Sequence, residues 1–580
     1  MFAKYLKNSD GMLNLIFRLN SQFSKLRKKQ IFFLLSLMIA LAFAEAISLA
    51  SIVPFVGVFI NPDIFYTHPW LVYFINFFEI KNNNELFLFV SVTFILIIIL
   101  SFFIKLLFIF LSNRITTYTE ADFKTKIFQY SINQSYSYHL EQNSNIVMSN
   151  IMQKTQAIAS FLNSFIQILS SLMILVFLMT VLILIKPVVT ISILVVLILF
   201  FILVSLINRK RILKNSETIS KSQNKIVDIF QDSVGYFGEI TLYSLQNIFI
   251  TKFNKFAYQI AESFKYNKNI GESPRIYLEY FALISLAILI FFLNQSKNEI
   301  TDSLTILAAL GLGAQKILPL INRIHSSYTN MRSLQMLNKE TLDILDKSKS
   351  ENFKESFSEK ILLKNFIKLN NVSFSYNDNK NQILKNINLE IKKGSKVGIK
   401  GTTGSGKSTL GNILISLLNP TQGQLYIDDV LINHQNKLAW QKNIAIVPQN
   451  VFLNDVSIAE NIAIGIEPKD IDLEKVRKFA KLAQINNFIE KNSNQYNEKV
   501  GERGVKLSGG QRQRIGIARA LYREAKLIVF DEATNQLDEE TENLIMQSIN
   551  NFDSEITVVF ITHRLSTLKY CDQIIDLDKF

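Results

Sequence analysis

Six long apolar runs divide the first 324 residues: 31–60, 86–111, 158–185, 188–207, 276–293 and 304–324. A helix needs about 20 apolar residues to cross the hydrocarbon layer of a bilayer. Backbone in lipid must satisfy its own hydrogen bonds, so such runs are expected to cross as helices. The pattern therefore predicts a polytopic α-helical membrane domain of six spans. Only Lys186 and Pro187 separate runs three and four, so these form a tight hairpin. Lys316 and Pro319 interrupt the sixth. Beyond about residue 360 the long runs stop and the sequence becomes a mixed α/β pattern.

The loops set the expected orientation. Residues 1–30 carry seven Lys/Arg and one acid, and Arg209-Lys210-Arg211 opens a second basic stretch. Connections 61–85, 186–187 and 294–303 carry one Lys each. Basic residues collect on the cytoplasmic side, so both termini are expected in the cytoplasm. The net charge of +14 is explained by these flanks and argues against nucleic acid as a partner. Ala44-Glu45-Ala46 imitates a signal cleavage site, but the polar lead is too long and the apolar run continues to Ile60. Residues 13–29 are expected to form a helix lying on the inner leaflet. Loops 112–157 and 208–275 are too long for turns and rich in helix formers. They are expected to be helical extensions with tips near 136–150 and 229–239. The stretch 346–362 is charged and Ser-rich, a linker, which gives domains at 1–345 and 363–580. The single cysteine, Cys571, excludes an intrachain disulfide and fits a reducing compartment.

The last third carries motifs for phosphate chemistry. Residues Gly401, Thr402, Thr403, Gly404, Ser405, Gly406, Lys407, Ser408 and Thr409 form a P-loop. Its glycines let backbone N–H groups close around phosphate, Lys407 reaches the β/γ-phosphates and Ser408 can ligand Mg²⁺. Leu527-Ile528-Val529-Phe530 reads as a buried parallel strand and runs into Asp531-Glu532. Residues 556–561 form a second such strand, followed by His563. Asp531 is expected to hold Mg²⁺ and Glu532 to polarise the attacking water.

Leu507-Ser508-Gly509-Gly510-Gln511 resembles the signature of ABC transporters. Tyr376 and Gln449 fall where that family has its adenine-stacking aromatic and its Q-loop glutamine. The resemblance implies several roles. Gln449 contacts ATP and the metal, and His563 is the switch histidine. Ser508, Gly509, Gly510 and Gln511 close on ATP held by a partner subunit, and Asp538 is the D-loop aspartate. Asn535-Gln536 replaces the usual Ser-Ala before Leu537-Asp538. Six spans ahead of one ATPase domain resemble an ABC exporter half-transporter of type I, an α/β P-loop ATPase fused to the membrane domain. It is expected to work as a homodimer with two competent sites. The stretch 499–504 also resembles a segment found just before the signature in exporters.

The cargo is read from charges in the spans, which are costly in lipid and functional by default. Lys105, Arg275, Lys316 and Arg323 are cations at or inside spans, and Glu45 lies in the first. A cation-lined cavity suits a buried anion. Arg275 and Arg323 also fit helix ends from which the head snorkels to water. The stretches 274–279, 318–324 and 45–49 with Pro54-Phe55 resemble flippases of bacterial protein-glycosylation systems. That resemblance implies a polyprenyl-pyrophosphate-linked oligosaccharide moved to the outer leaflet. It also implies an external helix, for which 68–80, with Trp70, Tyr73 and Phe77, is the candidate. The same aromatics suit an interfacial belt. Export of a lipid A-like lipid, a peptide or a drug is the alternative, and a non-pumping gate is disfavoured by the intact Glu532. A chromosome-binding ATPase, which can share the signature, is excluded by the spans.

Overall fold

A computed structural model describes residues 11–60, 78, 80, 82–141, 144–185, 187–295, 300–350, 360–376, 382–550 and 555–579. The expected external helix lies outside these residues except for Phe78 and Ile80, as does most of the expected linker. The chain divides into two compact units. One is Met1–Gln134 with Gln142–Asn352, and the other is Phe353–Phe580 with Ser135–Glu141.

The first unit is helical. Its main helices are α1 (Met12–Gln22), α2 (Lys25–Ala50), α3 (Ile52–Ile60), α4 (Asn83–Ile132), α5 (Thr155–Ile185), α6 (Pro187–Gly235), α7 (Gln246–Gln295), α8 (Ile300–Ser333) and α9 (Gln335–Ser350). Each apolar run falls on one of these, except that the first is divided at Ser51 between α2 and α3. Pro54 has no N–H to return to the Ala50 carbonyl, which accounts for the break. Among the described residues, Lys25–Val58, Asn83–Ile132 and Val147–Leu184 are long and apolar enough to cross a membrane.

The long polar loops are continuations of the spans. Helices α4, α6 and α7 run for 50, 49 and 50 residues without interruption. Hydropathy drops where each leaves its apolar half, but the i→i−4 bonding is indifferent to side-chain polarity. Short helices at Tyr136–Glu141 and Ser144–Ser149 and a π-turn at Asn150–Lys154 lead from α4 into α5. The extension of α5 is tied to α9 by Lys154, which is buried and 2.6 Å from Glu340.

Helix α1, expected to lie on the inner leaflet, packs one of its faces within the unit. Leu15 and Leu19 are buried, and Arg18 pairs with Asp343 and Asp346 of α9 at 2.6 and 2.8 Å. Leu13 and Phe17 remain exposed, so the apolar content serves a packed face as well as an outward one.

The second unit is built on two sheets. Strands β1 (Phe366–Phe374), β2 (Leu384–Lys392), β4 (Gln422–Ile427) and β5 (Val430–Leu431) form an antiparallel sheet in the order β2-β1-β4-β5. Strands β3 (Lys396–Lys400), β6 (Ile444–Val447), β7 (Leu527–Asp531), β8 (Thr557–Ile561) and β9 (Gln573–Asp576) form a parallel sheet ordered β6-β7-β8-β3-β9. All five residues of β8 and the first four of β7 are buried, as expected of strands covered on both faces. Helices α10 (Lys407–Leu414), α11 (Gly509–Tyr522) and α12 (Glu539–Asn550) flank this sheet's motifs in sequence.

Cys571 packs against β3, where a Cβ on Gly398 would lie 3.1 Å from its sulfur. Burial, with the Asp572 charge beside it, pushes the thiol up to about 11. At pH 8 only about one molecule in a thousand then carries the reactive thiolate. Maleimide labelling of native protein is expected to be slow and to become rapid in denaturant. Equal rates in both states would contradict this packing.

Candidate active site

Four functional segments leave the C-terminal ends of neighbouring parallel strands, where α/β sheets place their ligands. The P-loop follows β3, Gln449 follows β6, Asp531-Glu532 close β7 and His563 follows β8. Each of these strands thus delivers a polar segment to the same sheet edge.

The P-loop is built for phosphate. Gly404 and Gly406 have φ of +89° and +90°, backbone that side chains disfavour. A Cβ on Gly406 would also lie 2.8 Å from Leu384. Gly406 precedes α10, so the helix N-terminus faces the loop. Lys407 Nζ donates to the carbonyls of Gly401 and Thr402 at 3.0 and 2.8 Å. The Ser405 hydroxyl is buried and has no partner among the described residues. Thr402, an expected ATP contact, gives its N–H and hydroxyl to Asp578 at 2.9 and 2.8 Å. Those bonds hold the Asp578 carboxyl below its ordinary range. The stability they contribute is present above that range and is lost as pH falls through the lowered value. Tyr376 sits edge-on to Phe374 at 4.8 Å, with its hydroxyl 3.4 Å from that of Thr409.

Ser408 Oγ donates to Asp531 Oδ1 at 3.0 Å. Burial, joined by the nearby Glu532 charge and opposed by Ser408 and Lys407, raises the Asp531 carboxyl above its ordinary value. Ionising it therefore destabilises the fold progressively as pH rises past that ordinary value. A divalent cation between this hydroxyl and this carboxylate would offset that cost, so the pair fits Mg²⁺.

Glu532 is held by two amides on one oxygen. Gln449 Nε2 donates to Oε2 at 2.7 Å and Asn535 Nδ2 at 3.0 Å, while His563 Nε2 lies 3.7 Å from Oε1. Its backbone is left-handed, with φ of +49°, and its N–H donates to Ile561 of β8. A non-glycine residue in that region stores strain and is commonest at functional sites. The Asn535 amide has a structural role the motif comparison did not foresee: it fixes the carboxylate.

The signature caps its own helix. Ser508 and Gln511 exchange side-chain and backbone bonds in a capping box at the start of α11. Gln536 crosses this turn so closely that a Cβ on Gly509 would lie 2.5 Å from its side-chain oxygen. Ser508 is exposed, and among the described residues no hydrogen bond joins the signature to Lys407, Asp531 or Glu532. Asp538 accepts from the Thr541 N–H and hydroxyl, both at 2.9 Å, at the start of α12. Sequence reasoning missed Arg564, which binds the carbonyls of Asn535 and Leu537 and the buried carboxylate of Glu542.

The membrane unit holds a cavity of about 760 Å³. Glu45, Lys105, Lys316 and Arg323 all line it. Arg275 does not; it is exposed and pairs with Glu279, one turn along α7, at 2.6 Å. Glu45 accepts from Lys105 at 3.0 Å and from Lys316 at 2.9 Å. Asn163 and Gln167, one turn apart on α5, also line the cavity, and among the described residues their side-chain carbonyl oxygens find no donor. Neutral amides inside an apolar run carry no hydropathy signal strong enough to single them out.

Residues 384–535 match the family described as ABC transporter, and residues 64–268 the ABC transporter transmembrane region. The chain is 46% identical over 215 residues to the leukotoxin translocation ATP-binding protein LktB of Mannheimia glucosida. It is 45% identical over 215 residues to the leukotoxin export ATP-binding protein LtxB of Aggregatibacter actinomycetemcomitans. Each match covers 37% of this chain and 30% of the relative, so the chain spans under a third of those relatives' length. The structure of a bacterial Atm1-family ABC exporter with ATP bound aligns over 95% of this chain and 94% of its own, with TM-score 0.75 and 22% identity. The fold is that of an ABC exporter half, a helical membrane domain fused to an ABC ATPase domain.

Proposed function

We propose that this chain, built on the ABC exporter fold, is half of a homodimeric ATP-driven exporter in a bacterial inner membrane, with both termini cytoplasmic. Its domains are the membrane domain at 1–345, a linker at 346–362 and the ATPase domain at 363–580. Nucleotide binds along Gly401, Thr402, Thr403, Gly404, Ser405, Gly406, Lys407, Ser408 and Thr409, with Tyr376 on the base. Mg²⁺, held by Ser408 and Asp531 with Gln449 near, supplies neutralising charge to the phosphates. Glu532 takes the proton from the attacking water, and His563 orients the γ-phosphate. Ser508, Gly509 and Gly510 act on nucleotide held by a second copy. The exposed position of Ser508, away from its own P-loop lysine in the bonding pattern, supports that reading. ATP-driven joining of the two ATPase domains then switches the spans between inward and outward access.

The cargo is an amphipathic anion, and the finer reading is a polyprenyl-pyrophosphate-linked oligosaccharide passed to the outer leaflet. The observation that carries it is the cavity, where three cations meet the amide oxygens of Asn163 and Gln167, which have no donor among the described residues. Ammonium and guanidinium groups suit a pyrophosphate, and amide oxygens suit sugar hydroxyls. The names of the relatives favour a second reading, export of a protein or peptide.

The deciding experiment follows outward movement of a polyprenyl-pyrophosphate oligosaccharide in proteoliposomes, with wild type beside Glu532→Gln. Flipping by wild type alone, and only with ATP, is the expected result. Vigorous ATP hydrolysis without flipping would transfer the case to the peptide reading.

A further inference from the structure

Glu45 is a carboxylate in an apolar span, and it is shared between two other helices. Oε1 accepts from Lys105 of α4 at 3.0 Å, and Oε2 accepts from Lys316 of α8 at 2.9 Å. Ser48, one turn further along α2, gives Lys316 another acceptor. The Glu45 side chain is only 12% exposed, while that of Lys105 is 51% exposed. Arg323, on the same cavity wall, has no carboxylate partner among the described residues. Among the described residues, three cations and one carboxylate leave the cavity lining with a net charge of +2.

We infer that Glu45 is an internal counter-anion that competes with the substrate's anionic group for Lys105 and Lys316, and so keeps affinity low enough for release. The inference rests on the anionic-cargo reading above. Its basis is electrostatic. An anion arriving at these ammoniums meets a carboxylate already bonded to both, and like charges at close range in a poorly solvated site repel strongly. Transport requires a site favourable enough to enter and weak enough to leave. Three cations without the carboxylate would satisfy the first condition and fail the second. When the cargo departs, Glu45 recaptures both lysines, so neither is left as an unpaired charge.

The same arrangement selects by charge. A ligand group with one negative charge only replaces a carboxylate of equal charge. A phosphate or pyrophosphate carrying two can span both ammoniums and reach Arg323. The favoured cargo is therefore a phosphate- or pyrophosphate-bearing amphiphile.

The test titrates the full chain in nanodiscs with farnesyl pyrophosphate and with inorganic pyrophosphate. It compares wild type, Glu45→Gln, Glu45→Asp and the double variant Glu45→Gln/Lys316→Ala. Removing one negative charge at this range is expected to tighten binding of both probes by about tenfold. Probe-stimulated ATP hydrolysis by Glu45→Gln is expected to show a lower KM together with a lower kcat, because release slows. Glu45→Asp keeps the charge and should stay near wild type. The double variant should lose the gain, which assigns it to the cavity and not to the P-loop. Unchanged or weaker binding by Glu45→Gln overturns the inference. So does an Asp variant that behaves like the Gln variant, since geometry and not charge would then be the cause. If the gain is present but the farnesyl chain adds nothing to affinity, the counter-anion stands and the polyprenyl reading falls.

Discussion

Replacing Glu532 by glutamine is expected to lower ATP hydrolysis by about 10²–10⁴-fold, the range for removing a general base, while ATP binding persists. The side chain touches Gln449, Asn535 and His563, and among the described residues it makes no bond to the P-loop. Glutamine has the same shape and keeps one acceptor for the two amides. What disappears is the negative oxygen that receives a proton from water. The replacement amide would sit beside Gln449 and Asn535, both donors, so it is expected to rotate its oxygen toward them. Its NH₂ then faces His563, 3.7 Å from the present Oε1. Phosphate release and labelled-ATP binding, measured on the same preparation, separate the two effects. Hydrolysis within tenfold of wild type would place the base elsewhere. Loss of nucleotide binding would mean that Glu532 holds the loop rather than the water.

What was readable in the sequence follows the range over which each signal acts. P-loop, Gln449, Asp531-Glu532 and His563 each follow an apolar strand directly, so local order places them at one sheet edge once the strands are parallel. The loops at 112–157 and 208–275 were legible as helical extensions from their length and composition, although the hydropathy signal stops where the helix does not. Asp578 on Thr402 spans 176 positions, and Lys316 on Glu45 spans 271. Such contacts have no local signature. The four charges of the cavity stood out because charge in an apolar run is costly. That one carboxylate takes both lysines depends on how three helices pack. Asn535-Gln536 was legible only as a departure from the family's motif. Its meaning comes from tertiary contact, one side chain on the Glu532 carboxylate and the other over Gly509.

Arg564 offers the largest expected effect on stability. Glu542 is 1% exposed, and its Oε2 receives Arg564 Nη1 at 2.6 Å. Thr567 and Ser566 donate their hydroxyls to Oε1 at 2.6 and 3.3 Å. Arg564→Met removes the only cation in this set and leaves a buried charge with hydroxyl donors alone. Breaking a buried pair from one side costs about 3–5 kcal/mol, and the two hydroxyls place this case near the lower end. For a domain of this size that is a fall of roughly 6–12 °C in Tm. Removing the carboxylate as well, in Arg564→Met/Glu542→Leu, should recover most of the loss, because apolar groups of similar volume often replace such pairs at little cost. Hydrolysis should not recover with it. Arg564 also binds the carbonyls of Asn535 and Leu537 at 3.0 and 3.3 Å, and it follows His563 in the chain. Without it the Asn535 amide loses the anchor that holds it on Glu532. Thermal unfolding of the full chain with and without ATP, beside phosphate release, reads both quantities. A double variant as unstable as the single would show that the guanidinium acts through packing rather than charge. A double variant restored in both stability and turnover would show that the Asn535 carbonyl needs no such anchor.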